Sequence, residues 1–279
     1  MLSRPSYMLV CSVAVAVGAC GRRPVPAPQS AATVVTVTAT EYAFVSPESI
    51  PSGLVTLRFL DQGQEPHQAV IMRLDSGKTM ADLQTMMANP AAPVPAWIAF
   101  PIGVSIIGPA DSGNATAVLV PGHYAMVCFI PSPDGTPHVM KGMVRPFEVV
   151  ASGAAPAPEP TADITITERD YDFDVTGPLT AGTHTIRVEN AGPQVHEVAM
   201  YQVAPGKTMA DVQAWMQAGM RSEPPAKPAG GVTGPDVGGH AYYTATLARG
   251  KYVLICGVPD RRDGKPHAMH GMIKEITVS

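Results

Sequence analysis

The sequence predicts an all-β protein made of two tandem Greek-key β-sandwich domains, each carrying one short helix. Three observations predict it. One block of sequence occurs twice, each copy breaks into short runs rich in Val, Ile, Thr and Tyr, and a Pro/Ala-rich stretch separates the copies. Gly77-Lys78-Thr79-Met80-Ala81-Asp82 recurs as Gly206-Lys207-Thr208-Met209-Ala210-Asp211, an offset of 129 residues. His67 and His196, His138 and His267, and Met143 and Met272 keep that offset, and Cys128 returns as Cys256 with one residue less.

From the N-terminus, Arg4 precedes an apolar run, Met8 to Val17, that is too short to span a bilayer. Residues 1–19 are expected to be a signal peptide. Val17-Gly18-Ala19-Cys20 resembles a bacterial lipobox, which would leave Cys20 as an acylated first residue. Val-x-Ala also suits ordinary signal peptidase, which would release a free secreted product. Residues 20–32 are expected to form a Pro/Ala-rich tether. The expected product is exported, periplasmic or at the cell surface, and anchored to the membrane through Cys20. Residues 33–150 then form the first domain, 151–162 (ASGAAPAPEPTA) the linker and 163–279 the second domain. A net charge of −4 without any basic run gives no surface for nucleic acid.

In the first domain, runs at 34–38, 54–60, 68–73, 115–120, 124–130 and 144–150 predict strands. In the second, 163–168, 182–189, 197–203, 241–247, 252–257 and 272–278 do so. One helix is expected over 80–88 and one over 209–218, with Thr79 and Thr208 as N-caps. The Pro/Gly/Ala stretches 89–113 and 219–239 read as long loops over one end of each sandwich.

Outside the signal segment and Cys20, the chain has one cysteine per copy. Two lone thiols in an oxidising compartment call for a role other than a disulfide, and metal ligation supplies one. Cys128 and Cys256 end strands, His138, Met143, His267 and Met272 follow on the next loops, and His67 and His196 open another strand. A thiolate and two imidazoles with a weak thioether suit a copper ion in both oxidation states.

Gly-x-Tyr-x-x-x-Cys followed by His-x-x-x-Gly-Met resembles the ligand loop of cupredoxins, the blue (type 1) copper proteins related to plastocyanin and azurin. It occurs in both copies, at 122–143 and 250–272. The resemblance implies two copper ions, held by His67, Cys128, His138 and Met143 and by His196, Cys256, His267 and Met272, with the methionines axial. It implies one-electron transfer with redox partner proteins of the cell envelope, through loop histidines His138 and His267 near the surface. Nine residues separate Cys128 from His138, and ten separate Cys256 from His267. Loops that long resemble the type 1 domain of copper nitrite reductases more than small electron carriers.

Catalytic copper would need histidines beside the cysteines or His-x-His pairs, and the chain has neither. The sequence reading is therefore that the chain is not an enzyme. Copper handling, meaning buffering or delivery without redox turnover, is the alternative, and a protein-binding module with degenerate sites is the third. Met140 and Met269 are expected to pack under the sites, and the helical methionines Met86, Met87 and Met216 in the core. His123, His184, His240 and His270 are expected in solvent. Phe129, Ile130 and nearby prolines would make the first loop apolar, while Arg261, Arg262 and Lys265 make the second basic. Gln68 and Glu197, which follow the first histidines, would make the two sites electronically unequal.

Overall fold

A computed structural model describes residues 31–89, 94–219 and 222–279. The expected signal peptide, its cleavage site and Cys20 lie outside the described residues. Copy one contributes β1 (Thr33–Thr40), β2 (Ala43–Val45), β3 (Ser49–Pro51), β4 (Gly53–Asp61), β5 (His67–Leu74), β6 (Ile98–Ile107), β7 (Ser112–Leu119), β8 (Gly122–Val127) and β9 (Val144–Val150). Copy two contributes β10 (Ile164–Arg169), β11 (Asp172–Thr176), β12 (Gly182–Asn190), β13 (Glu197–Val203), β14 (Ala226–Thr233), β15 (His240–Leu247), β16 (Gly250–Ile255) and β17 (Ile273–Val278). Helices α1 (Met80–Met87) and α2 (Met209–Gln217) complete the two sandwiches.

The strands form two sheets that run through both copies. One has the order β11-β10-β12-β15-β7-β4-β1-β2, the other β17-β16-β13-β14-β6-β5-β8-β9-β3. Val104 pairs with Val232 and Thr116 with Tyr242 where the copies meet. Asn114 donates to the Thr244 carbonyl and accepts from its N–H, both at 2.8 Å. The Asp236 carboxylate accepts the Phe100 N–H at 2.8 and 2.9 Å. In the segment between the copies, Glu159 accepts hydrogen bonds from His240 and Tyr242, each at 2.9 Å.

Side-chain alternation decides what each strand buries. Along β8, Tyr124, Met126 and then Cys128 face the core between the sheets, whereas Ala125 and Val127 face outward. Copy two repeats this with Tyr252, Leu254 and Cys256. Central strands β5 and β13 are apolar on both faces because the helices cover their outer sides, through Leu83 and Val212. Thr79 and Thr208 cap these helices as expected. In each cap the threonine hydroxyl accepts the N–H of Asp82 or Asp211, whose carboxylate accepts the threonine N–H.

The stretches expected as loops are corrected here. β6 lies within 89–113 and β14 within 219–239, and both sit at the centre of the larger sheet. Pro101 in β6, and Pro228, Gly230 and Gly231 in β14, hid them, since both residue types weaken a strand reading. In β14 the register shifts beside these residues, and both glycines have positive φ, 116° and 130°. Among the described residues no helix is long and apolar enough to cross a membrane.

Candidate metal centres

The eight candidate ligands fall into two buried groups. His67, Cys128, His138 and Met143, and likewise His196, Cys256, His267 and Met272, are all 0% exposed. Main-chain bonds tie each loop together: the Cys128 N–H donates to the Met143 carbonyl (3.3 Å) and the Met143 N–H to the His138 carbonyl (3.0 Å). The second loop repeats both bonds at 3.2 and 3.0 Å. Left-handed glycines, Gly142 (φ 99°) and Gly271 (φ 104°), end the short 3₁₀ turns that carry the loop histidines. The tyrosine of Gly-x-Tyr-x-x-x-Cys braces the strand instead of touching the centre. Tyr124 donates to the Val120 carbonyl (2.7 Å) and Tyr252 to that of Ala248 (3.0 Å), in the manner of a tyrosine corner.

In copy two, three donors converge. His196 Nδ1 lies 3.0 Å from His267 Nδ1 and 3.8 Å from Cys256 Sγ, which is 3.4 Å from His267 Nδ1. Donors bound to one ion at about 2.0–2.3 Å stand roughly 3.3–3.9 Å apart when they share a plane with it, so the set fits a metal with slight expansion. His196 Nε2 donates to Asp170 Oδ1 at 2.8 Å, which fixes the tautomer and leaves the Nδ1 lone pair facing the centre.

Copy one holds the same residues with one ring turned. His138 donates from Nε2 to Glu65 Oε2 at 2.8 Å and points Nδ1 at Cys128 Sγ, 3.5 Å away. His67, its ring centroid 4.9 Å from that of His138, donates from Nδ1 to Asp61 at 3.1 Å. Its buried Nε2 has no partner. That nitrogen is a free donor, but among the described residues copy one does not bring three donor atoms within 4.8 Å of one another as copy two does with His196, Cys256 and His267.

Burial favours the neutral form at Cys128, His138, His196, Cys256 and His267. Burial pushes the Cys128 thiol up to about 11 and the Cys256 thiol well above its ordinary value. Burial pulls His138 and His196 down, and together with His196 it pulls His267 down to about 4. The backbone N–H groups of Gln68 and Ile130 point at Cys128 Sγ, and those of Glu197 and Val258 at Cys256 Sγ, ready to stabilise a thiolate.

The loop histidines are not at the surface, which corrects the sequence expectation. Tyr42 lies edge-on to His138 at 5.2 Å, and Tyr171 edge-on to His267 at 5.6 Å. Both tyrosines occupy the left-handed region (φ 61° and 66°), at a cost on the order of 1–2 kcal/mol for a residue with a side chain. Met140 and Met269 do not pack under the centres either. They stand 59% and 62% exposed, because the 3₁₀ turn directs them outward from their histidines. His184 is buried instead of solvated, bonded to Asp163 (2.5 Å) and the Thr180 carbonyl (2.8 Å). His123 is exposed near Glu148, His240 pairs with Glu159, and His270 with Asp263.

Residues that the sequence reading did not single out complete the sites: Asp61, Glu65, Asp170 and Asp260 around the histidines, Tyr42 and Tyr171 above them, and Gly63 and Gly192 beside the first histidine. The glycines are required for close approach. A Cβ at Gly192 would lie 2.6 Å from His196 Nε2 and 3.1 Å from Asp170 Oδ1, and one at Gly63 would lie 2.7 Å from His67 Cε1. Gly192→Ala is therefore expected to break the His196–Asp170 bond and weaken metal binding in copy two by roughly 10–100-fold, as loss of an outer partner does. Competition with a chelator measures it, and an unchanged affinity would remove His196 from the ligand set.

No protein-family model and no curated protein matches the sequence. Among solved structures, dithionite-reduced auracyanin from Roseiflexus castenholzii is 24% identical with a TM-score of 0.31, covering 43% of this chain and 99% of its own. A protein described as a multicopper oxidase is 13% identical with a TM-score of 0.24, covering 88% of each chain. A copper-containing nitrite reductase from Thermus scotoductus is 10% identical with a TM-score of 0.23, covering 88% of this chain and 61% of its own. The last two are enzymes, and they overturn the expectation that the chain is not one; the missing His-x-His pairs do not exclude catalysis. At these identities the likeness is one of fold. Each copy is a sandwich with four strands in one sheet and four or five in the other, and a Cys-to-His loop closes over a buried donor set. Each copy folds as a β-sandwich, and over 43% of its length the chain is similar in fold to auracyanin.

Proposed function

We propose that the chain holds two mononuclear copper ions, one per copy, and passes single electrons between redox partner proteins at the cell envelope. The ligands would be His67, Cys128, His138 and Met143 in one centre and His196, Cys256, His267 and Met272 in the other. The observation that carries this reading is the convergence of Cys256 Sγ, His196 Nδ1 and His267 Nδ1 in a pocket with no exposed donor surface. Copper in such a set supplies a reversible one-electron step between its +1 and +2 states.

The chain's own residues do the rest. Asp170 and Glu65 orient His196 and His138 through their Nε2–H groups. Two backbone N–H groups at each sulfur offset thiolate charge, and burial of all four donors keeps water out, so little has to move when an electron does. Export and anchoring through Cys20 would place this chemistry outside the cytoplasm. Protein-film voltammetry of the copper-loaded chain tests the reading. Two reversible one-electron waves are expected, and copper uptake without a reversible wave would contradict it.

Copper handling is favoured by one observation of its own. Met80, Met87 and Met140 line a groove of about 360 Å³ between α1 and the turn that carries His138. Their counterparts Met209, Met216 and Met269 all recur at the 129-residue offset. Thioethers are soft ligands suited to Cu(I). The voltammetric outcome separates the two readings.

A further inference from the structure

Tyr42 and Tyr171 occupy equivalent positions in the two copies, and both adopt a backbone conformation that bulky residues rarely take. Such outliers persist where the surrounding structure holds them in place, and they cluster at functional sites. Each phenol is held by one carboxylate and one cation. Tyr42 donates to Glu65 Oε1 (3.2 Å) and accepts from Lys141 Nζ (3.1 Å), which also lies 4.7 Å above its ring. Tyr171 donates to Asp260 and accepts from Arg262 Nη2 (2.7 Å), whose guanidinium lies 5.2 Å above its ring.

The two carboxylates come from different segments. In copy one it is Glu65, on the turn before the first histidine, where copy two has Gln194. In copy two it is Asp260, on the Cys-to-His loop, where copy one has Ser132. Ser132 and Gln194 still bond to the phenol, at 3.2 and 3.4 Å. Both positions differ between the copies, yet each cap retains one tyrosine, one carboxylate and one cation. Unrelated changes at the two positions could equally have left one cap with two carboxylates and the other with none.

We propose that each network is a lid that seals its loop histidine, so that electrons cross at Tyr42 and Tyr171 and not at a bare imidazole edge. This rests on the copper electron-transfer reading. In the step itself one electron leaves Cu(I), which becomes Cu(II), and the acceptor is reduced by one. No bond forms or breaks, no proton moves, and the tyrosine is not oxidised. The phenol sets the closest distance a partner can reach, and tunnelling falls steeply with distance.

The test uses the full mature chain loaded with copper, with the other centre emptied by its Cys→Ser substitution. Tyr42→Gly and Tyr171→Gly suit the left-handed backbone and remove the ring, whereas Tyr→Phe keeps it. Oxidation of the reduced protein by hexacyanoferrate(III) is followed by stopped flow. The glycine variants are expected to react at least tenfold faster with the visible band in place, and the phenylalanine variants within twofold of the parent. An unchanged rate in a glycine variant that keeps its band would overturn the proposal.

A second arm needs no metal. In the apo chain, acylation by diethyl pyrocarbonate, mapped by peptide mass, should modify His138 and His267 at least tenfold more slowly than the exposed His123. In the glycine variants it should approach the His123 rate. Equal reactivity in the parent would show that there is no seal. A chain that takes up no copper would sink the electron-transfer reading, and the acylation arm would still decide the lid.

Discussion

Cys256→Ser is expected to yield a chain that binds one copper ion in place of two, and Cys128→Ser to do the same at the other centre. Cys128 and Cys256 are free, buried and aimed inward by strand alternation, each facing a loop histidine nitrogen at 3.4–3.5 Å. A serine hydroxyl keeps the small size but does not ionise to a soft anion, so the charge that holds the metal is lost. Affinity at the altered centre should fall by more than about 100-fold, because loss of an outer partner alone costs 10–100-fold. Half of the thiolate-to-copper absorption should vanish in each single variant and all of it in the double variant. Apo-protein melting should shift little, since one buried small group replaces another. Full absorption in either single variant would mean that the cysteine is a core residue.

Glu168→Gln should stabilise the protein, and more at pH 8 than at pH 5. Glu168 points into the core where copy one has Ala39, and neither of its carboxyl oxygens has a partner. Burial, with the nearby Glu197, pushes its carboxyl well above the ordinary range, which favours the neutral form in the fold. In the unfolded chain a glutamate ionises near about 4.3. Above that pH the unfolded state therefore holds fewer protons than the folded one, and stability falls as pH rises toward the folded value. Glutamine cannot ionise, which removes that slope. Glu197, pushed up to about 7 by burial, leaves a smaller slope of the same sign. The gain at pH 8 should be at least about 1 kcal/mol, since each unit between the unfolded and folded values is worth about 1.4 kcal/mol. That corresponds to roughly 2–4 °C in melting temperature. Scanning calorimetry at both pH values checks it, and an equal shift at both would show that Glu168 is charged and paired in the fold.

What the sequence revealed, and what it hid, follows from where the information lies. Twelve strands and both capped helices were legible because each carries its own local signal, a run of apolar and β-branched residues or a threonine followed three residues later by an aspartate. β2, β3 and β11, only three to five residues long at the sheet edges, were missed. β6 and β14 were not legible either, because their burial comes from being the middle strands of a sheet shared by two copies. Position in the sheet, and not local propensity, lets Pro228 and Gly231 stand in a strand. The candidate ligands were legible through residue type and repetition. Their surroundings were not, since Tyr42 and Glu65 reach His138 from separate segments and look like ordinary turn residues in the sequence. The 129-residue offset does mark Tyr42 with Tyr171 and Gly63 with Gly192, and that repetition was the available signal. Glu65 and Asp260 gave none, because each is replaced at the equivalent position of the other copy.

The measurement that bears most directly on two copper centres is a Cu(II) titration of the mature chain, followed by visible absorption and electron paramagnetic resonance. An intense thiolate-to-copper band that rises linearly and saturates at two equivalents, with two distinguishable resonance signals, is the predicted result. Saturation at one equivalent, or copper bound without the intense band, would contradict it.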